Sequence, residues 1–376
     1  MPAIGSMWPC PRSRHRNVPA FMPRDARSMC VPAWLSDRRI PEMTEYQPTR
    51  RHVLAGMAAA TLPAIALPIG PVRASDATLT LYGAPITVSL PMAHIVDRDR
   101  LSPVVSGLRF HQWRSPDEMR AGVASGAIEI TTAPAPTAAN LYNRGTGMRL
   151  LAVLTTGMLY VMTTDPNIRR FEDLAGRKVL VPFRGDMPDR VFGLLMQQRG
   201  MTTDDVDVEY TSTPIEAAQL LLAGRAPAAV LQEPAATAAV MRGLAASVRV
   251  MRAFDLQALY GEATGGPADI PQAVLIIRDS VRERFPGIAP KLLAEVGAST
   301  AWVRGNPASA ANLGSAYMHL KKPILERAIP GSNLSVRDAA TARPALEGLY
   351  RLLSAGNAAL IGGGLPDDGF YLDASS

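Results

Sequence analysis

The sequence has 376 residues, enough for two to three domains and a sizeable buried core. With 47% hydrophobic and 19% charged residues it is neither disordered nor collagen-like. The formal charge of +6 is concentrated at one end: residues 1–74 hold ten Arg against four acids, whereas 75–376 hold 29 bases and 29 acids. The body of the chain is therefore neutral, which removes the whole-domain electrostatic argument for nucleic acid or an anionic membrane surface. Both cysteines, Cys10 and Cys30, also lie before residue 75, so the rest forms no disulfide, no thiolate metal site and no Cys nucleophile.

Residues 43–74 have the layout of an export signal. Met43 is read as the initiator, with 1–42 a Pro-, Arg- and Ser-rich upstream extension. A polar region ends at Thr49-Arg50-Arg51-His52, an apolar run spans Val53 to Ile69, and Val72 and Ala74 stand at −3 and −1 before Ser75. The paired arginines before a weakly hydrophobic run resemble a twin-arginine signal. A membrane anchor is the alternative, because Val53–Val72 carries no charge, but Pro63, Pro68 and Pro71 interrupt it. The expected product is a periplasmic protein cleaved near Ala74/Ser75.

Short apolar runs then alternate with helical patterns. Strands are predicted at Leu79–Tyr82, Leu108–Trp113, Ile128–Thr132, Leu150–Leu154, Leu159–Thr163, Lys178–Val181, Val206–Tyr210, Ala228–Leu231 and Ala273–Ile277. Ser115-Pro116-Asp117-Glu118 and Thr213-Pro214-Ile215-Glu216 repeat one helix-start signal: a hydroxyl cap, Pro in the first turn, and a Glu that closes a capping box. Those helices end at Gly126 and Gly224, and another runs from about Asp189 to Gly200. The region beyond Val281 is mostly helical. Such alternation implies parallel sheets with helices on both faces. Two segments, Thr155–Thr164 and Ala263–Gln272, look like crossings between lobes. They divide the body into a lobe formed by 75–160 plus 268–376 and a second lobe of 161–267, the layout of a hinge-closing binder.

In such a fold the ligand belongs at the carboxyl ends of strands and at helix N-termini facing the cleft. Four segments qualify. Ser89–Ala93 offers Pro91 and Met92; Thr131–Thr137 offers Thr132, Ala133 and Pro134 and opens the helix that carries Asn140. Val181–Asp189 offers Phe183, Arg184, Gly185 and Asp186, and Leu231–Pro234 offers Gln232 and Glu233. The third is the most specific: a permissive glycine, the open N–H groups of a helix start, and a planar cation suited to a carboxylate, sulfonate or nitrate-sized anion. Arg184 has an alternative in pairing with Asp186 or Asp189, and Glu233 in acting as a first-turn acid of its helix. Trp113 is either a cleft wall or core. The body's three histidines show no metal-ligand spacing, and no calcium loop, phosphate loop or nucleophile elbow occurs, so no cofactor and no metal are expected.

In these segments the chain resembles the nitrate/sulfonate/taurine family of periplasmic substrate-binding proteins of ABC importers. The likeness runs from Leu79 to Tyr371 as an ordered series. It includes Ala124-Ser125-Gly126, Asn143-Arg144-Gly145, Asp173-Leu174-Ala175-Gly176-Arg177-Lys178-Val179, Glu216-Ala217-Ala218, Leu222-Ala223-Gly224-Arg225 and Glu233-Pro234. Two further stretches, Pro182–Asp189 and Gly362–Tyr371, resemble a subgroup. The resemblance implies an α/β, two-lobed periplasmic-binding-protein fold (type II), each lobe a mainly parallel sheet flanked by helices. It also implies a monomeric, non-enzymatic receptor for a small anionic or polar ligand, partnered by an inner-membrane ABC permease with a cytoplasmic ATPase. The same fold appears in pyrimidine-synthesising enzymes of thiamine biosynthesis, whose cysteine-rich segment has no counterpart here. Two rivals stay open: an exported enzyme using Glu233 or Asp186 as acid/base, and a ligand-sensing subunit.

Overall fold

The computed structural model describes residues 78–202 and 204–373, so the leader, the Arg50–Arg51 pair and both cysteines lie outside the described residues. The chain makes three passes. The first is β1 (Thr78–Gly83), α1 (Leu90–Asp97), β2 (Gly107–Gln112), α2 (Pro116–Ala124), β3 (Ile130–Pro134), α3 (Ala135–Asn143) and β4 (Met148–Thr155). The second is β5 (Leu159–Thr163), β6 (Lys178–Pro182), α4 (Met187–Gln198), β7 (Asp207–Thr211), α5 (Pro214–Leu222), β8 (Ala228–Gln232), α6 (Ala235–Ala245), β9 (Met251–Asp255) and α7 (Leu256–Thr264). The third is β10 (Ala273–Arg278), α8 (Asp279–Arg284), α9 (Ile288–Gly305), α10 (Pro307–Met318), α11 (Lys322–Gly331), β11 (Leu334–Asp338) and α12 (Ala339–Ser354).

The strands form two mixed sheets, ordered β11-β4-β10-β3-β1-β2 and β7-β6-β8-β5-β9. In the first, β1 to β4 share one direction and β10 and β11 oppose them. In the second only β5 is reversed. The reversed strands that begin a new pass, β5 and β10, are those that follow a crossing. A chain that leaves one sheet at the cleft end of a strand starts the next strand at the cleft, and so runs against its neighbours. Both sheets are covered on two faces, and the residues show it. Along β10, Leu275 and Ile277 enter one core cluster while Val274 and Ile276 enter the other. Along β5, Leu159 and Val161 alternate with Tyr160 and Met162 in the same manner. Burial on both faces explains why these strands read as unbroken apolar runs.

All nine predicted strands are present, within three residues at each end. The two that the sequence reading lacks, β9 and β11, are edge strands that mix charged with apolar residues (Arg252 and Asp255; Arg337 and Asp338) and so carry little periodic signal. The helix starts hold in modified form. Ser115 and Thr213 accept from the amides of Glu118 (3.2 Å) and Glu216 (3.1 Å). The glutamates, however, take the amides of Arg114 (2.9 Å) and Ser212 (2.8 Å), one residue before the cap, where a reciprocal capping box would use the cap's own. Helix α4 starts at Met187, ahead of the expected Asp189, because Asp186 caps it with an Oδ1 to Met187 amide contact of 2.8 Å.

The first crossing is only residues 156–158; of the rest of the segment expected to cross, Thr155 ends β4 and Leu159–Thr163 is β5. It lies beside the second crossing. The Ile270 amide donates to the Thr156 carbonyl (2.8 Å), and the Met158 amide to Gln272 Oε1 (3.0 Å). Gly157 has φ +115, and a Cβ there would stand 2.2 Å from Gln257 Cγ, so only glycine fits. Two further elements span the sheets. Helix α12 places Leu346 and Tyr350 in the first sheet's core and Leu349 in the second's. At the end of α11, Tyr160 Oη donates to the Gly331 carbonyl (2.6 Å), and the Arg252 guanidinium sits 4.6 Å above the Tyr160 ring. Arg252 also meets the fully buried carboxylate of Glu233, which accepts from Thr237 through its amide (3.1 Å) and hydroxyl (3.0 Å). A Cβ on Gly331 would lie 3.0 Å from Glu233 Oε1, so the backbone approaches this network closely. The Gly362–Tyr371 stretch is a clasp on the first sheet: Phe370 is fully buried, Tyr142 donates to Asp367, and the Leu372 amide donates to the Leu150 carbonyl (3.0 Å).

Two outcomes follow. Arg252→Ala leaves a buried carboxylate without its counter-charge and should cost roughly 3–5 kcal/mol in urea denaturation, part of it recovered by adding Glu233→Gln; a single variant as stable as the native chain would show the pair to be dispensable. His94 is buried, stacked on Trp302 at 4.0 Å with Nδ1 3.0 Å from Ser299 Oγ. Burial, then Arg100 and Arg98, hold its pKa below the ordinary 6.5. The unfolded chain therefore binds the proton first, and the stability His94 contributes is present above pH 6.5 and lost as pH falls towards the folded value. Melting curves between about pH 7 and 5 should fall less steeply for His94→Gln than for the native chain, and parallel curves would contradict this.

Candidate functional site

A cleft of about 480 Å³ opens where the carboxyl ends of β3 and β8 face each other, bordered by the turns after β1 and β2 and by the first turns of α5 and α6. Its walls are mostly apolar, among them Ile86, Trp113, Phe183, Ile215 and Ile324. Trp113 is nearly buried and donates through Nε1 to Thr131 Oγ1 (3.2 Å), which fixes the ring against the floor of the cleft. Thr132 Oγ1 accepts from the Ala84 amide (3.1 Å), so its hydroxyl holds the β1 turn in place. Gln112 Oε1 is buried with no hydrogen-bond partner.

Of the residues singled out in the sequence, Trp113, Thr132, Ala133, Pro134, Phe183, Asp186, Gln232 and Glu233 border this cleft. The others do not. Pro91 and Met92 are buried in α1, with Met92 in the apolar core under the first sheet, because α1 turns its first residues inward. Asn140 spends its amide on the carbonyls of Ala359 (2.8 Å) and Leu360 (3.2 Å) and, with Gly185, borders a separate cavity. Arg184 is exposed and lies 5.0 Å above the Tyr210 ring, so it neither faces the cleft nor pairs with Asp186 or Asp189.

The Phe183–Asp189 turn explains the displacement. Phe183 and Gly185 both have positive φ (+58 and +80), which swings the chain sharply into α4. The N–H groups expected to stay open for an anion are filled from within. The Gly185 amide donates to Asp189 Oδ2 (2.7 Å), and the Met187 amide to Asp186 Oδ1. The other Asp186 oxygen accepts from Arg120 of α2 at 2.7 Å, an ion pair that joins the two sheets' layers beside the cleft.

Charge balance points elsewhere. Both carboxylates at the cleft are already engaged, Asp186 by Arg120 and Glu233 by Arg252 and Thr237. Burial pushes the Glu233 carboxyl up from its ordinary range, against the pull of Arg252. Arg114 pairs with Glu118 (3.2 Å). Arg242 on α6 and Lys321 just before α11 also border the cleft and form no ion pair among the described residues. The uncompensated charge is thus positive and comes from both sides. The sequence reading missed Arg242, although Ala235, Ala238 and Arg242 stand at i, i+3 and i+7 on one face of a helix whose start was recognised. Among the described residues no cluster of three or more His, Cys, Asp or Glu could hold a metal, and no helix is long and apolar enough to cross a membrane.

Comparison with known proteins agrees with this architecture. The structure is similar to an ABC transporter protein from Parabacteroides distasonis, at 21% identity over 79% of this chain and 99% of that one, with a TM-score of 0.67. It is also similar to the periplasmic aliphatic sulphonate-binding protein SsuA from Escherichia coli (15% identity, 74% and 86% covered, TM-score 0.60). A third neighbour is the periplasmic nitrate-binding protein NrtA from Synechocystis PCC 6803 (15% identity, 66% and 68% covered, TM-score 0.53). No curated protein matches the sequence. The family described as NMT1/THI5 like matches residues 110–310, more than half of the sequence. The chain belongs to the NMT1/THI5-like family and has the two-lobed periplasmic-binding-protein fold.

Proposed function

We propose that the protein is an exported receptor that closes on a small anionic organic solute and delivers it to an ABC permease driven by a cytoplasmic ATPase. The observation that carries this reading is the apolar-walled cleft bordered by two cationic residues, Arg242 and Lys321, that form no ion pair among the described residues. Trp113, Thr132, Ala133, Pro134, Phe183 and Gln232 are the further contacts we assign. An apolar body with one sulfonate or carboxylate group fits such walls better than a bare inorganic ion, because the walls offer it area to bury. The sulphonate- and nitrate-binding functions of the structural neighbours support the same class. The acid/base alternative draws no support from the geometry, since the carboxylates of Asp186 and Glu233 are each held by an arginine. Export rests on the leader: we infer a twin-arginine-like signal cleaved near Ala74/Ser75. Residues 161–267 would then swing as one lobe against 75–160 plus 268–376, about the paired crossings.

The ligand carried through purification from the native host can be identified by native mass spectrometry and then used for titration. Saturation should reduce the radius of gyration in small-angle scattering, because contacts on both lobes favour the closed state. Arg242→Ala should weaken binding by about 2 kcal/mol or more in calorimetry, as expected on removing one partner of a desolvated charge pair. Arg184→Ala should bind like the native chain. The reverse pattern, or an unchanged scattering profile at saturation, would overturn the assignment.

A further inference from the structure

The second cavity, about 690 Å³, adjoins the cleft: Asp186 and Met187 border both, and Arg120, the partner of Asp186, borders this one. Four arginines border it: Arg120 on α2, Arg144 after α3, Arg278 at the end of β10 and Arg190 on α4. Its one acidic residue is Asp186, whose two oxygens are taken by Arg120 and the Met187 amide. The remaining arginines have no charged partner shown at the cavity. Arg190 Nε reaches only the Gly185 carbonyl (3.2 Å). Arg278 reaches the carbonyls of Thr146 and Val123, and its buried Nε has no partner. The Arg144 side chain makes no ion pair among the described residues.

The contrast with other arginines of this chain is sharp. Arg149, Arg284 and Arg337 each face a carboxylate, at 2.9, 2.7 and 2.5 Å. Arg120 faces two carboxylates, Asp186 and Asp117 (2.8 Å), so the four guanidinium groups around this concave space leave a net charge near +2, carried by Arg144, Arg190 and Arg278, and a concave wall focuses that field. Guanidinium groups suit tetrahedral oxyanions because their planar N–H pairs match two oxygens at once. We propose that this cavity is a second anion site, distinct from the ligand cleft, that takes a small multivalent oxyanion of the phosphate class. Arg120, Arg144 and Arg278 come from the first sheet's layer and Arg190 from the second's, so an oxyanion held among them bridges the two lobes and stabilises their closed arrangement.

The test uses the full exported chain, freed of its cleft ligand, with inorganic phosphate and inorganic pyrophosphate as probes and sodium chloride at matched ionic strength as the control. Both probes should raise the melting temperature and give a calorimetric isotherm, pyrophosphate the tighter, while chloride does neither. The double variant Arg144→Gln/Arg190→Gln removes no ion pair and should fold like the native chain, which its probe-free melt verifies. It should lose about tenfold or more in affinity, as expected when charged donors to an oxyanion are removed. Arg242→Ala, which alters the cleft alone, should keep it. The proposal is overturned if neither probe binds, if the double variant binds as the native chain does, or if Arg242→Ala alone abolishes binding. The last result would place the oxyanion in the cleft and leave the proposed solute-receptor reading intact.

Discussion

The whole architecture depends on one geometric constraint: the chain crosses the cleft twice, side by side, and each crossing starts its next strand at the cleft rather than away from it. That is why β5 and β10 run against their neighbours, and why both lie inside their sheets with partners on either side. The same constraint brings the carboxyl ends of β3 and β8 to opposite walls of one space. It also makes the crossing short. Three residues, 156–158, are held by Gln272, Ile270 and Asn333, so the backbone groups of this largely buried connector are nearly all used. Gly157, where no side chain fits, lets the connector pack against Gln257.

The Pro182–Asp189 turn shows how a motif can look like an anion site and be something else. Sequence supplies a helix start, a glycine and an arginine, all of which suit an anion. Structure adds two aspartates, Asp186 and Asp189, that occupy the helix start themselves. With an internal carboxylate already there, a second anion would meet repulsion rather than open donors. Arg184 is then free to lie along Tyr210 at the surface, a contact worth less than about 1 kcal/mol at an exposed site. The positive charge that matters at the cleft has moved to Arg242 and Lys321, which come from a helix face and from a helix entrance rather than from a strand end.

Much of the fold was legible because buried strands announce themselves: β5 and β10 are apolar on both faces, and Leu159–Thr163 matches the structure residue for residue. Ser115 and Thr213 were legible because a cap acts through its nearest three residues, which the sequence displays directly. Edge strands β9 and β11 were not, since one side and one edge of each face solvent and no apolar pattern is required there. The site was half legible. Strand-end residues such as Thr132 and Gln232 follow from the fold alone. Pro91, Met92 and Arg184 depend on the direction a turn takes after the strand. That direction is set by long-range packing of α1 on the core and by the two positive-φ residues of the Phe183 turn.

Glu233 links these strands of the account. It was read as a cleft carboxylate or a first-turn acid; it borders the cleft and stands just ahead of α6, before the cap residue Pro234, where it accepts from Thr237 in the first turn and, through Arg252 and Tyr160, reaches Gly331 at the end of α11. Helix α6 carries Arg242, and α11 is the rod at whose other end Lys321 stands. Ten helical residues span about 15 Å, so a small rotation near Gly331 is magnified at Lys321. Tyr160, which anchors the rod, lies two residues beyond the first crossing, close to where any rotation between the lobes must pivot. The buried pair therefore sits beside the crossings, and the two cleft cations at the ends of the elements it joins. A carboxylate buried at such a point is better used to hold the hinge side of the cleft in register than to touch a ligand.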